Sequence, residues 1–291
     1  MDTQKYRVLK AVIELGSFSK AADALGYTQS AVSQTIGALE QELGFTLVRR
    51  SRRGVSLTPE GAELMPLIER VVMDQLRIEE KASEINGLER GVVRMGTLSS
   101  VSTHWLPAVI RLFKERYPHV EFVIHQGDYE LIPQWIAEGI IDFGFVNPRA
   151  VKSLEVHELK DGEMLAVLPE GHPLAAKEVV PLEQLALEPF ILLEEGNYYE
   201  PLEAFATVEL HPRVEYTIHD DYAIMAMVEA GLGVSMLASL ILRRTNYHIV
   251  CRPTDPPVTR TLAVAYKDGN ALPVASRRFI DMLVEQVAQL P

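Results

Sequence analysis

A single cysteine, Cys251, in 291 residues excludes an internal disulfide and any cysteine-clustered zinc site. Long apolar runs are missing too. None approaches the ~20 uninterrupted apolar residues a membrane span needs, so no membrane association is expected. The first residues, Met1-Asp2-Thr3-Gln4-Lys5-Tyr6-Arg7, lead into an amphipathic stretch and not an apolar export core. Cations are in deficit: 28 Lys and Arg face 40 Asp and Glu, a net charge of −12, which argues against a protein that coats nucleic acid with its whole surface. What is present is 47% hydrophobic and 23% charged, the composition of a soluble globular protein of two or three domains in a reducing cytoplasm.

The deficit is uneven. Residues 1–61 hold eight Lys and Arg against six Asp and Glu, whereas residues 91–291 hold sixteen against twenty-seven. Four of the eight cations of the first segment fall in one window, Arg49-Arg50-Ser51-Arg52-Arg53. A charge run alone is usually a solvated loop, so its neighbours decide the reading. The asymmetry itself suggests a small polyanion-binding head on an acidic body.

Tyr6, Val8, Leu9, Val12, Ile13 and Leu15 recur at helical spacing and end at Gly16. Phe18 to Leu25 makes a second short helix, with Ala21, Ala22 and Ala24 small enough for close contact. Gly26-Tyr27 is a turn, and Thr28 caps a third helix running to Leu43, with Ala31, Val32, Thr35, Ile36, Leu39 and Leu43 facing inward. This is a helix-turn-helix, whose second helix lies in the DNA major groove. Thr28, Gln29, Ser30, Ser33 and Gln34 are left at its N-terminal and outer face, hydrogen-bonding side chains of the kind that read base edges. Phe45–Val48 and Val55–Leu57 bracket the arginines like the strands of a hairpin turning at Gly54. The hairpin is a basic wing, whose Arg50, Arg52 and Arg53 are placed to grip phosphate.

The run Ser17-Phe18-Ser19-Lys20-Ala21-Ala22-Asp23-Ala24-Leu25, then Thr28-Gln29-Ser30-Ala31-Val32-Ser33-Gln34, Ile36, Leu39-Glu40, Leu43-Gly44, Leu47, Arg50, Arg52-Arg53-Gly54 and Leu57-Thr58-Pro59-Glu60-Gly61, resembles the DNA-binding region of LysR-type transcriptional regulators. Val48 stands where that family usually has Phe, a change that touches wing packing and not base readout.

Beyond the head, Thr58 caps a helix with Pro59 at its first position. Leu64, Ile68, Val71, Gln75, Ile78, Ala82 and Ile85 then repeat at spacings of four and three, a heptad seam apolar except at Gln75. Pro66 is expected to bend or loosen the first turns. Such a helix either lies on its own body or pairs, parallel or antiparallel, with a second copy; the resemblance implies pairing. Asn86-Gly87 and Gly91 close the helix and form a hinge.

From Val92 short apolar strands alternate with helices, which implies a parallel, doubly wound sheet. Two such sets, joined by crossing strands, make a clamshell with a ligand cleft. Gly96, Leu106-Pro107, Phe113, Tyr117-Pro118, Gly139, Asp142, His172-Pro173-Leu174 and Val228-x-Ala230-Gly231-x-Gly233-Val234 resemble the effector domain of the same family, which shares the fold of periplasmic solute-binding proteins. The expected organisation is therefore multi-domain: an all-α winged helix-turn-helix domain (1–58), a linker and dimerisation helix with hinge (59–90), and an α/β effector-binding domain (91–291) of two Rossmann-like lobes. Lobe I would hold residues 91–163 and 267–291, and lobe II residues 164–266.

For the cleft, the hydroxyls of Ser99, Ser100, Ser102 and Thr103 follow the first strand and favour an anionic or carbonyl group, although Ser102 or Thr103 could instead be an N-cap. Asp128, Asn147, Glu195 and Asp220 are the other expected contacts, beside Gly127, Glu194 and Gly196. The rim is acidic, with Arg149 its only nearby cation. A plain dicarboxylate would be repelled there; an effector combining a carboxylate with an amine or hydroxyls, or an aromatic near Trp105 and Tyr198-Tyr199, fits better.

Enzymatic motifs are lacking: there is no Gly-x-Ser-x-Gly elbow and no His-Glu-x-x-His helix. His104, His125, His211, His219 and His248 have no metal spacing with one another, and Cys251 reads as inert packing. No cofactor or metal is expected beyond a small-molecule effector. The expected partners are operator DNA, a second copy in a homodimer or homotetramer, and RNA polymerase if the protein activates. Ligand closure of the clamshell would rotate subunits and change half-site spacing or DNA bend. The rival class is a cytoplasmic solute-binding protein with a non-regulatory head, which has no use for residues 1–61.

Overall fold

The computed structural model describes residues 2–51, 54–85 and 91–291, with no side-chain description for residues 80, 81 and 83–85. The chain folds as two compact units, one ending in the long linker helix and the other comprising most of the chain from Gly91 onward. Among the described residues no helix is long and apolar enough to cross a membrane.

The first unit opens with α1 (Thr3–Leu15), α2 (Phe18–Leu25) and α3 (Gln29–Leu43). Each begins where a short oxygen-bearing side chain accepts from a helical N–H: Asp2 from Gln4, Ser17 from Lys20 and Thr28 from Ala31. The turn between α2 and α3 depends on Gly26 at φ +69°, a left-handed conformation that a side chain would strain. Val8, Leu9, Val12, Ala21, Val32, Ile36 and Leu39 form one core with almost no exposure.

A two-stranded wing follows, β1 (Val48–Ser51) against β2 (Gly54–Leu57). The sequence placed the first strand at Phe45–Val48; it starts at Val48 because the preceding backbone is already committed. Thr46 O accepts from Thr58 Oγ1 (2.7 Å), Leu47 O accepts from Thr58 N (2.9 Å), and the Glu40 carboxylate accepts from the N–H groups of Leu47 (2.7 Å) and Val48 (3.2 Å). Arg49 and Arg50 therefore sit within the strand and not in a bracketed loop. Arg52 and Arg53 lie outside the described residues.

Helix α4 (Pro59–Ile85) runs on through Pro66. Thr58 Oγ1 accepts from Gly61 N (2.9 Å), and a Cβ at Gly61 would come within 2.3 Å of Leu47 O, so only glycine lets α4 start this close to the wing. The heptad seam divides. Ile68, with Met65 and Val72, is buried against the head's own core, whereas Val71 (40%) and Ile78 (70%) are exposed. Packing on its own body thus holds for the first turns, and an unpaired apolar face remains further along. The Ile85 side chain, Asn86 and Gly87 lie outside the description; Gly91 opens the next strand.

The second unit comprises β3 (Gly91–Thr97), α5 (Ser99–His104), α6 (Leu106–Arg116), β4 (Val120–Gln126), α7 (Leu131–Glu138), β5 (Phe143–Val146), the 15-residue β6 (Glu155–Pro169), β7 (Val180–Pro181), α8 (Leu182–Leu185), β8 (Pro189–Leu193), α9 (Glu200–Thr207), β9 (Arg213–Ile218), α10 (Asp221–Glu229), β10 (Ser235–Ala238), β11 (Ile249–Arg252), β12 (Thr254–Asp255), β13 (Val258–Tyr266) and α11 (Val274–Gln286). Lobe I has the strand order β4-β3-β5-β13-β6. In lobe II β6 is flanked by β10 and β11, while β8 pairs with β9 and bridges through Phe190 to Val234, the residue before β10. The sheet is mixed, not parallel throughout: β3, β4 and β5 run parallel, while β13 is antiparallel to both β5 and β6. Because Phe143–Val146 pairs with Ala263–Tyr266, the strand Leu262–Tyr266 belongs with lobe I and not with lobe II as its position in the chain suggested.

Candidate nucleic-acid interface and ligand cleft

In the head, Thr28, Gln29, Ser30 and Gln34 are all exposed on α3, while Val32, Ile36 and Leu39 on its opposite face are buried. The 3.6-residue period of the helix does this sorting. Ser33 is half-buried and accepts from Arg50 Nη2 (2.8 Å), whose guanidinium carbon also lies 4.0 Å above the centre of the Phe18 ring. Arg50 thus joins the wing to α2 and α3 while remaining exposed. Its side chain is held over an aromatic face, which limits its rotamers.

In the second unit, β3 sits between β4 and β5, so the chain reverses its direction of winding at the C-terminal end of β3, where ligands of open α/β sheets bind. A cavity of about 230 Å³ lies there. Ser99, Ser100, Asp128 and Glu195 line it, as do three titratable side chains that the sequence did not place at the cleft: His219, Asp221 and Arg260. Gly127 and Glu194 line it too, whereas Ser102, Thr103, Asn147 and Asp220 lie elsewhere. Ser102 and Thr103 are inside α5, whose N-cap is Leu98; the Ser102 hydroxyl donates to Ser99 O (3.0 Å), and Thr103 is exposed. Neither is therefore an N-cap. Asp220 caps α10 by accepting from Ala223 N (2.9 Å), and Asn147 is buried, donating from Nδ2 to Glu200 Oε1 (2.9 Å). Trp105 is 1% exposed, edge-on to Phe145, and is core and not a ligand platform.

The principal correction concerns charge. Arg149 is not the nearest cation to this rim: Arg260, on β13, reaches into the cavity with only 6% exposure. Its Nε donates to the Tyr129 hydroxyl (2.7 Å) and its Nη1 to Ser100 Oγ (3.3 Å), while its nitrogens stand 3.6 Å from carboxylate oxygens of both Glu195 and Glu200. The Tyr129 hydroxyl donates to Glu200 Oε1 (2.8 Å). Burial works against the charge on Arg260, yet Tyr129, Glu195, Glu200 and Asp221 outweigh it and hold the guanidinium protonated. Burial, opposed by Arg260 but aided by Glu200 and Asp221, pushes the Glu195 carboxyl well above the ordinary glutamate range. Asp221 is raised as well, chiefly by burial, against the pull of a Ser99 hydrogen bond and Arg260.

Arg260 escaped the sequence reading because Val258-Thr259-Arg260-Thr261 has no apolar alternation. One signal was available: period two places Arg260 on the same side of the strand as Val258 and Leu262, both buried, and a charge in the apolar phase of a strand needs a partner.

Profiles of two protein families match the chain: "Bacterial regulatory helix-turn-helix protein, lysR family" over residues 3–62 and "LysR substrate binding domain" over residues 86–288. An uncharacterized HTH-type transcriptional regulator, YvbU of Bacillus subtilis (strain 168), is 33% identical, with 98% of each chain covered. A probable HTH-type transcriptional regulator, LrrA of Synechococcus elongatus, is 32% identical, with 97% of this chain and 96% of LrrA covered. Among solved structures, full-length CbnR complexed with its target DNA superposes with a TM-score of 0.74 at 18% identity, covering 99% of this chain and 100% of CbnR. With a LysR head, a LysR substrate-binding domain and full-length similarity between them, the chain belongs to the LysR family of bacterial transcriptional regulators.

Proposed function

We propose that this regulator reads operator DNA with the exposed face of α3 and senses a small molecule in the cavity at the end of β3. The observation that carries the reading is the coexistence, in one chain, of an outward polar helix face beside a basic wing and a cavity floored by a buried arginine. A solute-binding protein has no use for the first, and the family match makes regulation the better reading of the second. Thr28, Gln29, Ser30 and Gln34 would meet base edges, while Arg50, with Arg52 and Arg53, would meet phosphate. CbnR binds its target DNA with the same fold. Ser99, Ser100, Asp128, Glu195 and Arg260 would contact the effector.

The exposed Val71 and Ile78 supply the second requirement, a surface through which two copies of α4 pair and bring two heads to adjacent half-sites. Closure of the lobes on effector would then change the spacing or angle of the paired heads, in a dimer or tetramer acting in the cytoplasm where the operator lies.

Selection of bound sequences from a random duplex pool tests this reading. The wild-type chain should enrich a two-fold related motif. Gln29→Ala should lose about 1–3 kcal/mol of preference at one position of each half-site while retaining affinity for random DNA. An unchanged motif would show that α3 is not the reader.

A further inference from the structure

Three buried ionisable side chains line the cavity floor, Arg260, Glu195 and Asp221, and a fourth, Glu200, is buried behind them 3.6 Å from Arg260. One cation faces three acids. Among the described residues Glu200 Oε2 is buried without a hydrogen-bond partner. Asp128 and Glu194 add two more acids to the cavity wall, and His219 is the only other titratable group of basic type lining it. Excess buried negative charge is costly in a low-dielectric site and is relieved by a proton or by a second cation. Arg260 offers little spare capacity for a carboxylate, since Tyr129, Ser100, Glu195 and Glu200 already surround it.

Taking the cavity as the effector site, as proposed above, we infer that its ligand is a small organic amine, protonated at neutral pH, whose ammonium group is seated against Glu195, between Asp221 and Asp128. Glu195 carries the contact. Arg260 from β13, Glu200 from α9 and Asp221 from α10 all face it; the Tyr129 N–H donates to the Glu195 backbone carbonyl (3.1 Å), and Asp128, Glu194 and His219 share its cavity. Burial and the two neighbouring acids favour a neutral carboxyl there when the cavity holds no cation. An entering R–NH3⁺ makes the carboxylate the better state, and the carboxyl gives its proton to solvent. The ammonium keeps its own protons and one proton appears in the buffer, so a monoamine leaves the charge of the site unchanged and a diamine adds one positive charge. A dicarboxylate would meet the same acids without that relief.

Four ligands with the same four-carbon span separate charge from size: putrescine, γ-aminobutyrate, butanediol and succinate. Titrated calorimetrically into the full-length protein, putrescine should bind most tightly, γ-aminobutyrate more weakly, and butanediol and succinate not at all. The putrescine heat should differ between phosphate and Tris buffers by the heat of proton uptake. Glu195→Gln should abolish that difference and weaken putrescine roughly tenfold, as expected for loss of a charged hydrogen-bond partner. Tighter binding of succinate, absence of heat from both amines, or a buffer-independent putrescine heat would overturn the inference. Leu131→Trp, at a half-exposed position on the cavity wall, tells this failure from failure of the site itself. Succinate binding abolished by Leu131→Trp overturns the amine and leaves the cavity as the sensor. Putrescine binding that survives Leu131→Trp, with circular dichroism unchanged, overturns both.

Discussion

Arg50 and Arg260 carry the same guanidinium into opposite surroundings. Arg50 lies exposed on a wing strand, stacked on Phe18 and donating to one serine hydroxyl. Arg260 lies buried on a crossing strand among two carboxylates at 3.6 Å, a phenol and a serine. The head displays polar groups on an apolar scaffold, so its energetics come from the scaffold and its chemistry comes from the surface. In the cleft, chemistry and stability share the same atoms. A change to the head's polar face should alter binding and leave folding almost alone, whereas a change to the cleft's charges should alter both.

The largest effect expected is that of Arg260→Ala. It removes the single cation and leaves Glu195, Glu200 and Asp221 buried together, at a cost of about 3–5 kcal/mol. Urea unfolding of the full-length chain should show the lower midpoint at neutral pH, with partial recovery as the acids protonate. A midpoint equal to wild type would mean that the arginine is not the counter-ion of these acids.

Arg50→Ala should be milder in stability and more visible in binding. Loss of the Phe18 contact costs about 0.5–1 kcal/mol for an exposed cation–π pair. Loss of one phosphate contact should flatten the dependence of log K on log salt by about 0.9 per head, equally for operator and random DNA. A flattening confined to the operator would assign Arg50 to base readout.

Smallest in size, though most specific in sign, is the pH response of the cleft. Glu195 and Asp221 hold their protons more tightly in the folded state than at their ordinary values of 4.5 and 3.8. As pH falls through the raised values the folded state binds protons that the unfolded chain does not, so stability rises, and it levels off below the ordinary values. Glu195→Gln should remove the larger share of this slope and raise the melting temperature by a few degrees at neutral pH. A melting temperature that falls at neutral pH would show that the ion pair with Arg260 outweighs the burial of Glu195.

The same contrast explains what could be read without coordinates. The head was legible almost to the residue because caps, left-handed glycines and a 3.6-residue period act locally, as at Ser17, Gly26 and Thr28. Where backbone groups were claimed from afar, as Thr58 and Glu40 claim Thr46–Val48, the strand boundary shifted. Of the cleft, Ser99, Ser100, Asp128 and Glu195 followed from strand ends. Arg260, Tyr129 and Glu200 did not, because only tertiary pairing brings positions 129, 200 and 260 together. The first part of β6, Glu155–Glu163, was hidden likewise, being largely polar and carrying none of the apolar pattern by which strands are found.

Both β6 and β13 run through the two lobes. Met164, Ala166, Leu168 and Val258 lie in the core of lobe II, while Ala263–Tyr266 pairs with β5 in lobe I. Neither lobe owns a complete sheet, so neither can melt first and leave the other standing. Calorimetry should therefore show the whole sensor losing its structure in one transition, with calorimetric and van't Hoff enthalpies that agree. A ligand lodged against Arg260, on one of the two shared strands, would delay that collapse as a unit.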